Sequence, residues 1–183
     1  MASAIILASQ LMYAQKVEVN TSKSQVKWFG KKITGQHEGT IQLKSGHFEL
    51  QDDQIVSGNF VVDMQTITNT DLKDEGYNQK LVNHLKSDDF FGVSTFPTAD
   101  FTVTESSKFM NGKATISGEI TIKGKTEKIT FEVIRKGNEY TTQIEIDRSK
   151  FNVRYGSNSF FDNLGNTAID DIFTLDIRLA VNQ

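Results

Sequence analysis

From Val17 onward the chain alternates. Between Ala114 and Lys123, residues Ala114, Ile116, Gly118, Ile120 and Ile122 fall on one side, while Thr115, Ser117, Glu119, Thr121 and Lys123 fall on the other. Successive side chains of an extended strand point to opposite faces, so a period of two marks a strand with one wet and one dry side. Phe173, Leu175, Ile177, Leu179 and Val181 repeat the pattern against Thr174, Asp176, Arg178 and Ala180. Phe60, Val62 and Met64 do the same against Asn59, Val61 and Asp63, and shorter versions occur at Val26 to Trp28, Phe101 to Thr104, Ile129 to Val133 and Thr142 to Ile146. Turn-forming residues separate these runs at Ser45-Gly46, Asp52-Asp53, Asn111-Gly112, Lys123-Gly124-Lys125 and Lys136-Gly137-Asn138. Asn-Gly and Gly-Asn are hairpin dipeptides, which makes the strands beside them antiparallel neighbours. A succession of such strands over about 160 residues implies a sandwich or a closed barrel, an all-β fold in either case.

The period changes once. Between Asp71 and Phe91, Tyr77, Leu81, Val82 and Leu85 recur every three or four residues, the spacing of one face of a short helix. The single proline, Pro97, restricts Phe96 to an extended conformation and launches the next strand near Ala99. A second irregular stretch, Tyr155 to Asp171, is rich in Gly, Asn and Ser yet carries Phe160, Phe161 and Leu164. Loops of that length commonly have a function or are mobile.

Bulk properties narrow the function. A chain of 183 residues with 37% hydrophobic content supports one domain with a substantial core. A net charge of -3 with scattered Lys and Arg provides no basic field, so nucleic acid is not an expected partner. The absence of cysteine removes disulfides, thiolate metal sites and cysteine nucleophiles together. His37 and His47 sit ten apart across what reads as a turn-rich hairpin, and His84 sits on the helix; no pair has a metal-ligand spacing, and no metal is expected. There is no G-x-S-x-G turn, Asp88 and Asp89 are adjacent as suits a helix-terminal turn, and no glycine-rich loop opens a helix. No catalytic residue and no cofactor is assigned, and the chain reads as a non-enzyme.

Residues 1–15, "MASAIILASQLMYAQ", carry no charge and contain two apolar runs. They resemble the back half of a secretory signal peptide with a truncated start, leaving 16–183 as the mature domain; a helix or strand of the domain itself is the alternative. The stretch is too short to span a bilayer and no other run approaches that length, so the mature chain is expected to be soluble, without a transmembrane segment, and periplasmic or secreted.

Thirteen Phe and one Trp against four Tyr supply large apolar surface with few hydrogen-bonding groups. Part of it lies on inward strand faces, and part, at Phe90-Phe91 and Phe160-Phe161, in connections where aromatics cap a core or line a cavity mouth. An eight-stranded barrel has just enough interior for its side chains or one small ligand. An uncharged interior of Phe, Ile, Leu and Val accepts a hydrocarbon chain, gaining about 0.8 kcal/mol per methylene buried. Two other readings stay open: a filled barrel serving as a stress or scaffold protein, and an enzyme on a lipid-linked substrate with His84 as acid or base.

The segment "YNQKLVNHLKSDDFFGVSTFPTADFTVT" (Tyr77 to Thr104) resembles the HLxSxDFFxxxxxPxxxF signature of the YceI-like family. "ISGEITIKGKTEKITFEV" (Ile116 to Val133) resembles its paired-strand segment, with Glu127 where the family pattern has Lys and Lys128 one later. "VKWFGKKITGQHEGTIQLKSGHFEL" is similar to the family's opening strands with their Trp and His-x-Gly, and "GNFVVDMQTITNTD" to the strand before the helical crossover. The resemblance runs from Val17 to Val181. It implies an extended, lipocalin-like eight-stranded antiparallel β-barrel with one short helical crossover, exported to the periplasm, that binds a polyisoprenoid such as a prenyl phosphate or an isoprenoid quinone and does no catalysis. The cavity wall it implies is Trp28 (with Phe29 the competitor, one residue of register away), Phe60, Val62, Met64, Leu81, Leu85, Phe90, Phe101, Ile116, Ile120, Phe131, Phe173 and Leu175. His37, His84 and Arg154 are the candidates for a polar head at the barrel mouth. The ligand's length and head group, and any oligomer, are left open.

Overall fold

The computed structural model describes residues 14–182. The expected leader therefore lies outside the described residues, apart from its last two. Nine strands and one helix follow in the order β1 (Gln15–Glu18), β2 (Gln25–Lys32), β3 (Gly35–Gln51), β4 (Gln54–Asp63), α1 (Glu75–Lys86), β5 (Thr98–Ser106), β6 (Lys113–Ile122), β7 (Lys125–Lys136), β8 (Glu139–Asp147) and β9 (Ile172–Ala180). Strands β2 to β9 pair antiparallel in sequence, and β2 meets β9, so eight strands close a barrel. The short β1 is an extra strand that pairs with the second half of β3.

The inward face of β6 is the one the alternation predicts: Ala114, Ile116, Gly118, Ile120 and Ile122 are buried, in register with β7 from Lys113–Ile134 to Ile122–Lys125. A side chain at Gly118 would stand 2.5 Å from the Phe101 ring, so its hydrogen makes room for that ring. The helix forms where the period changes, with Asp74 accepting from the Tyr77 N–H as its N-cap and Val82 and Leu85 buried.

Strand β3 corrects two expectations. Ser45-Gly46 makes no turn; it lies inside one 17-residue strand, just past a bulge between Leu43 and Ser45. A bulge adds one residue to one strand, so the buried set switches from odd positions (Gly39, Ile41) to even ones (Gly46, Phe48). His37 and His47 are consequently on the same strand rather than across a hairpin.

The barrel ends differ. Around the β3–β4, β5–β6 and β7–β8 turns, Phe48, Ile55, Val103, Phe109, Ile116, Val133 and Tyr140 form a packed cluster. The other end is covered by α1, the turns after it and residues 148–171, which bring Leu85, Phe90, Val93, Phe151 and Val153 onto Ile120, Ile122, Ile144 and Ile146. Among the described residues no helix is long and apolar enough to cross a membrane.

Candidate functional site

Between those two ends the barrel is hollow. A cavity of about 220 Å³ is walled by side chains from all eight barrel strands together with Leu85, Phe90 and Phe91. Its walls are almost wholly apolar, and Trp28, Phe101, Phe131, Phe173, Leu175 and Ile177 stay partly uncovered although they face inward. Apolar rings left bare inside a barrel lack the dispersion partners that close packing supplies, and a guest of matching shape provides them.

The structure brings twelve of the thirteen expected wall residues to this cavity. Trp28 on β2, Phe60 and Val62 on β4, Met64 just after it, Leu85 on α1 and Phe90 in the following turn line it, as do Phe101 on β5, Ile116 and Ile120 on β6, Phe131 on β7, and Phe173 and Leu175 on β9. Leu81 is the exception; it packs against the core cluster from one turn back along α1 and is not in the lining. Trp28 faces in, and Phe29 is not in the lining. Contributions from β3 and β8 were missing from the sequence reading: Ile41, Leu43, Tyr140 and Ile144 also line the space. The alternation Ile144–Ile146 signalled the β8 set, whereas the bulge concealed the β3 set.

Trp28 also explains the His-x-Gly stretch. Its indole N–H donates to the Thr68 carbonyl at 3.0 Å, laying the segment after β4 across β3. A Cβ at Gly39 would stand 1.9 Å from that carbonyl oxygen and 2.7 Å from the indole. Next to it, His37 Nδ1 lies 2.9 Å from the Asp71 carboxylate. Asp71 also accepts from the Glu38 N–H and from Asn69. Partial burial pushes the Asp71 carboxyl up, but these hydrogen bonds together hold it below its ordinary value. His37 is thus committed to a strap over β3 and is not in the cavity lining.

His84 and Arg154 sit at the covered end. The His84 ring meets Tyr155 edge-on, centroids 4.4 Å apart, and its buried Nε2 has no hydrogen-bond partner. Arg154 stacks over Phe160 at 4.7 Å and borders a cleft of about 540 Å³ shared with Asp88, Asp89, Lys123, Tyr155 and Phe161. Lys123 donates to the carbonyls of Asp88 (2.9 Å) and Phe90 (2.6 Å), pinning the turn after α1. Burial lowers its pKa, against the pull of Asp88 and Asp89.

Charged residues do reach the cavity lining, contrary to the uncharged interior expected from sequence: Asp100, Arg148 and Asp170 all border it, and Arg148 is the most deeply buried of them. Arg148, 2% exposed, follows β8 and donates to the carbonyls of Asp170 (3.0 Å), Val153 (2.8 Å), Tyr155 (2.9 Å) and Ile169 (3.0 Å). Its Nη2 also lies 3.3 Å from Asp171 Oδ1. Burial lowers the guanidinium pKa while Asp171, Asp170 and Asp147 raise it, and it stays charged. Sequence reasoning singled out Arg154 and overlooked Arg148, because nothing in a strand-end arginine announces the carbonyls that long-range folding will bring to it.

A closed eight-stranded antiparallel barrel with a bare apolar interior and a capped end has the architecture of the small barrels whose interior has room for one small ligand. The chain is a member of the YceI-like family, whose domain model matches residues 17–181. It is similar to BcnA of Burkholderia cenocepacia, at 25% identity and a TM-score of 0.66 over 90% of this chain and 99% of that one. A polyisoprenoid binding domain from Saccharophagus degradans, implicated in plant cell wall breakdown, superposes with a TM-score of 0.60 at 14% identity over 91% of this chain and 97% of that one. The Campylobacter jejuni YceI protein does so at 0.53 and 20% identity, over 75% of this chain and 84% of that one. These last two likenesses concern the fold alone. No curated protein sequence matches the chain.

Proposed function

We propose that this chain is an exported carrier that holds a polyisoprenoid lipid or an isoprenoid quinone, tail inward, in the barrel cavity, and that it performs no catalysis. The observation that carries the reading is the void of about 220 Å³ walled by uncovered Trp, Phe, Leu and Ile side chains. Each methylene placed there gains about 0.8 kcal/mol, while association costs about 4–15 kcal/mol, so long tails rather than short ones bind. A void of this kind weighs against a filled scaffold barrel. His84, outside the cavity lining and wedged between the Tyr155 and Phe90 rings, weighs against acid–base chemistry on a guest. A periplasmic or secreted setting is part of the proposal and rests on the uncharged stretch at residues 1–15.

Native mass spectrometry of protein purified from its own host tests the proposal. The carrier reading expects an adduct of isoprenoid mass that dissociates intact on activation. An apo species that also takes up no quinone in solution contradicts it.

A further inference from the structure

A carrier needs a way in, and both ends of this barrel are obstructed. One is filled by the Phe48, Phe109 and Tyr140 rings, packed edge to face at 5.0 and 5.9 Å. The other is roofed by α1 and residues 148–171, locked by the buried guanidinium of Arg148. The side wall is not uniform. Strands β7 and β8 share three rungs, Ile134–Thr141, Arg135–Tyr140 and Lys136–Glu139, against ten between β6 and β7 and nine between β8 and β9. Above Thr141 the two strands run on to Lys125 and Asp147 without pairing. Unpaired strand edges in a folded barrel are normally matched or covered. Here they face each other across a seam that the returning residues Arg148–Phe151 bound at the top, beside β7. From Thr142 to Asp147 the seam is roughly 17 Å long at about 3.3 Å per residue.

A second observation concerns the fork itself. Thr141 and Thr142 both line the cavity, at the level where the β7–β8 ladder stops. The Thr142 hydroxyl donates to the Glu132 carbonyl at 2.7 Å, a side-chain bond standing where the next rung would begin. Ile129 and Phe131 on one bank and Ile144 on the other continue the apolar lining.

We propose that the β7–β8 seam is the entry site for the lipid, which passes its apolar tail sideways through the wall above the Thr142–Glu132 clasp. This rests on the carrier reading and adds the route to it. The interior guest is an unbranched or isoprenoid chain, slim enough for a slot between two strands, rather than a fused-ring lipid.

The sole tryptophan, Trp28, lines the cavity, so quenching of its fluorescence by decylubiquinone in stopped flow reports arrival of a guest. The protein has no cysteine, so a short bis-maleimide can strap the seam at Thr130→Cys with Glu145→Cys, both exposed. The same strap across an intact rung at Asn59→Cys with Thr102→Cys is the control. Strapping the seam is expected to slow association at least tenfold, with dissociation slowed in proportion and the equilibrium quench kept; the control strap leaves both rates within twofold. Thr142→Val, which removes the clasp at nearly constant shape, speeds both rates. An association rate unchanged by the seam strap overturns the route while leaving the carrier standing, and so does a strap that abolishes the equilibrium quench. Unstrapped protein that shows no quench with decylubiquinone, and none with a longer-tailed quinone, overturns the carrier reading and the route with it.

Discussion

The two ends of the barrel are closed by different means. At the β3–β4 turn end the strands close themselves: Phe48, Phe109 and Tyr140 interlock, and Arg135, 4.5 Å above the Phe109 ring, is tied to Asp53 at 2.7 Å. At the α1 end the strands stop short and irregular chain covers them. Irregular chain brings carbonyls that no ladder satisfies, and buried carbonyls need donors. Arg148 serves four of them, Lys123 two, and the Trp28 indole one. A floor made of rings holds mainly by packing, whereas a roof stitched by long polar side chains depends on a few donors. The difference places the empty space between a permanent floor and a built cover.

The largest effects should come from breaking each closure. Phe48→Ala, at 1% exposure in the packed floor, is expected to cost about 3–5 kcal/mol in urea unfolding. Arg148→Ala leaves four carbonyls without their donor and Asp171 without its ion-pair partner, and a loss of about 3–5 kcal/mol is expected. The two should separate by hydrogen exchange: Arg148→Ala deprotects residues 149–171 first, while Phe48→Ala lowers protection throughout the barrel. A mid-sized effect sharpens the contrast between floor and hollow. Phe173 faces the cavity, half-buried, so Phe173→Ala in lipid-free protein should cost only about 2 kcal/mol, with the gap to Phe48→Ala narrowing once the cavity is loaded.

The smallest effect concerns acid. The hydrogen bonds to Asp71 hold its folded pKa below the ordinary carboxylate value, so it binds protons less readily folded than unfolded. Its stabilising contribution is complete above about pH 4 and is lost as pH falls through the folded value. The Thr68 and Thr70 amides, bonded to the Thr40 and Glu38 carbonyls, should therefore lose exchange protection below pH 4, and Asp71→Asn should flatten that dependence.

These contrasts also explain what the sequence could and could not disclose. Strand positions and most of the wall were legible because a period of two records which side of the sheet each residue faces, as in Ala114 to Ile122. The helix was legible at Tyr77 to Leu85 because its period differs. The stretch "HLKSDDFFGVSTFP" became a helix end and turn, with Ser87 accepting from the Phe90 and Gly92 amides and Gly92 at a φ of 59°. Ser45-Gly46 misled because a bulge and a turn both interrupt alternation and both favour glycine; only pairing with β4 distinguishes them. Leu81 misled because helical spacing gives a face without saying what lies beneath it. Arg148 and the β7–β8 seam were illegible for a deeper reason. One depends on carbonyls from residues 153 to 170, and the other on a ladder that stops while both strands continue; neither leaves a mark in local pattern.

The hollow itself is most directly tested by a crystallographic density map of protein purified without stripping its lipid. Elongated density running between Trp28, Phe131 and Phe173 is the predicted result. Side chains collapsed across the barrel axis, with no channel left for a tail, would contradict the account.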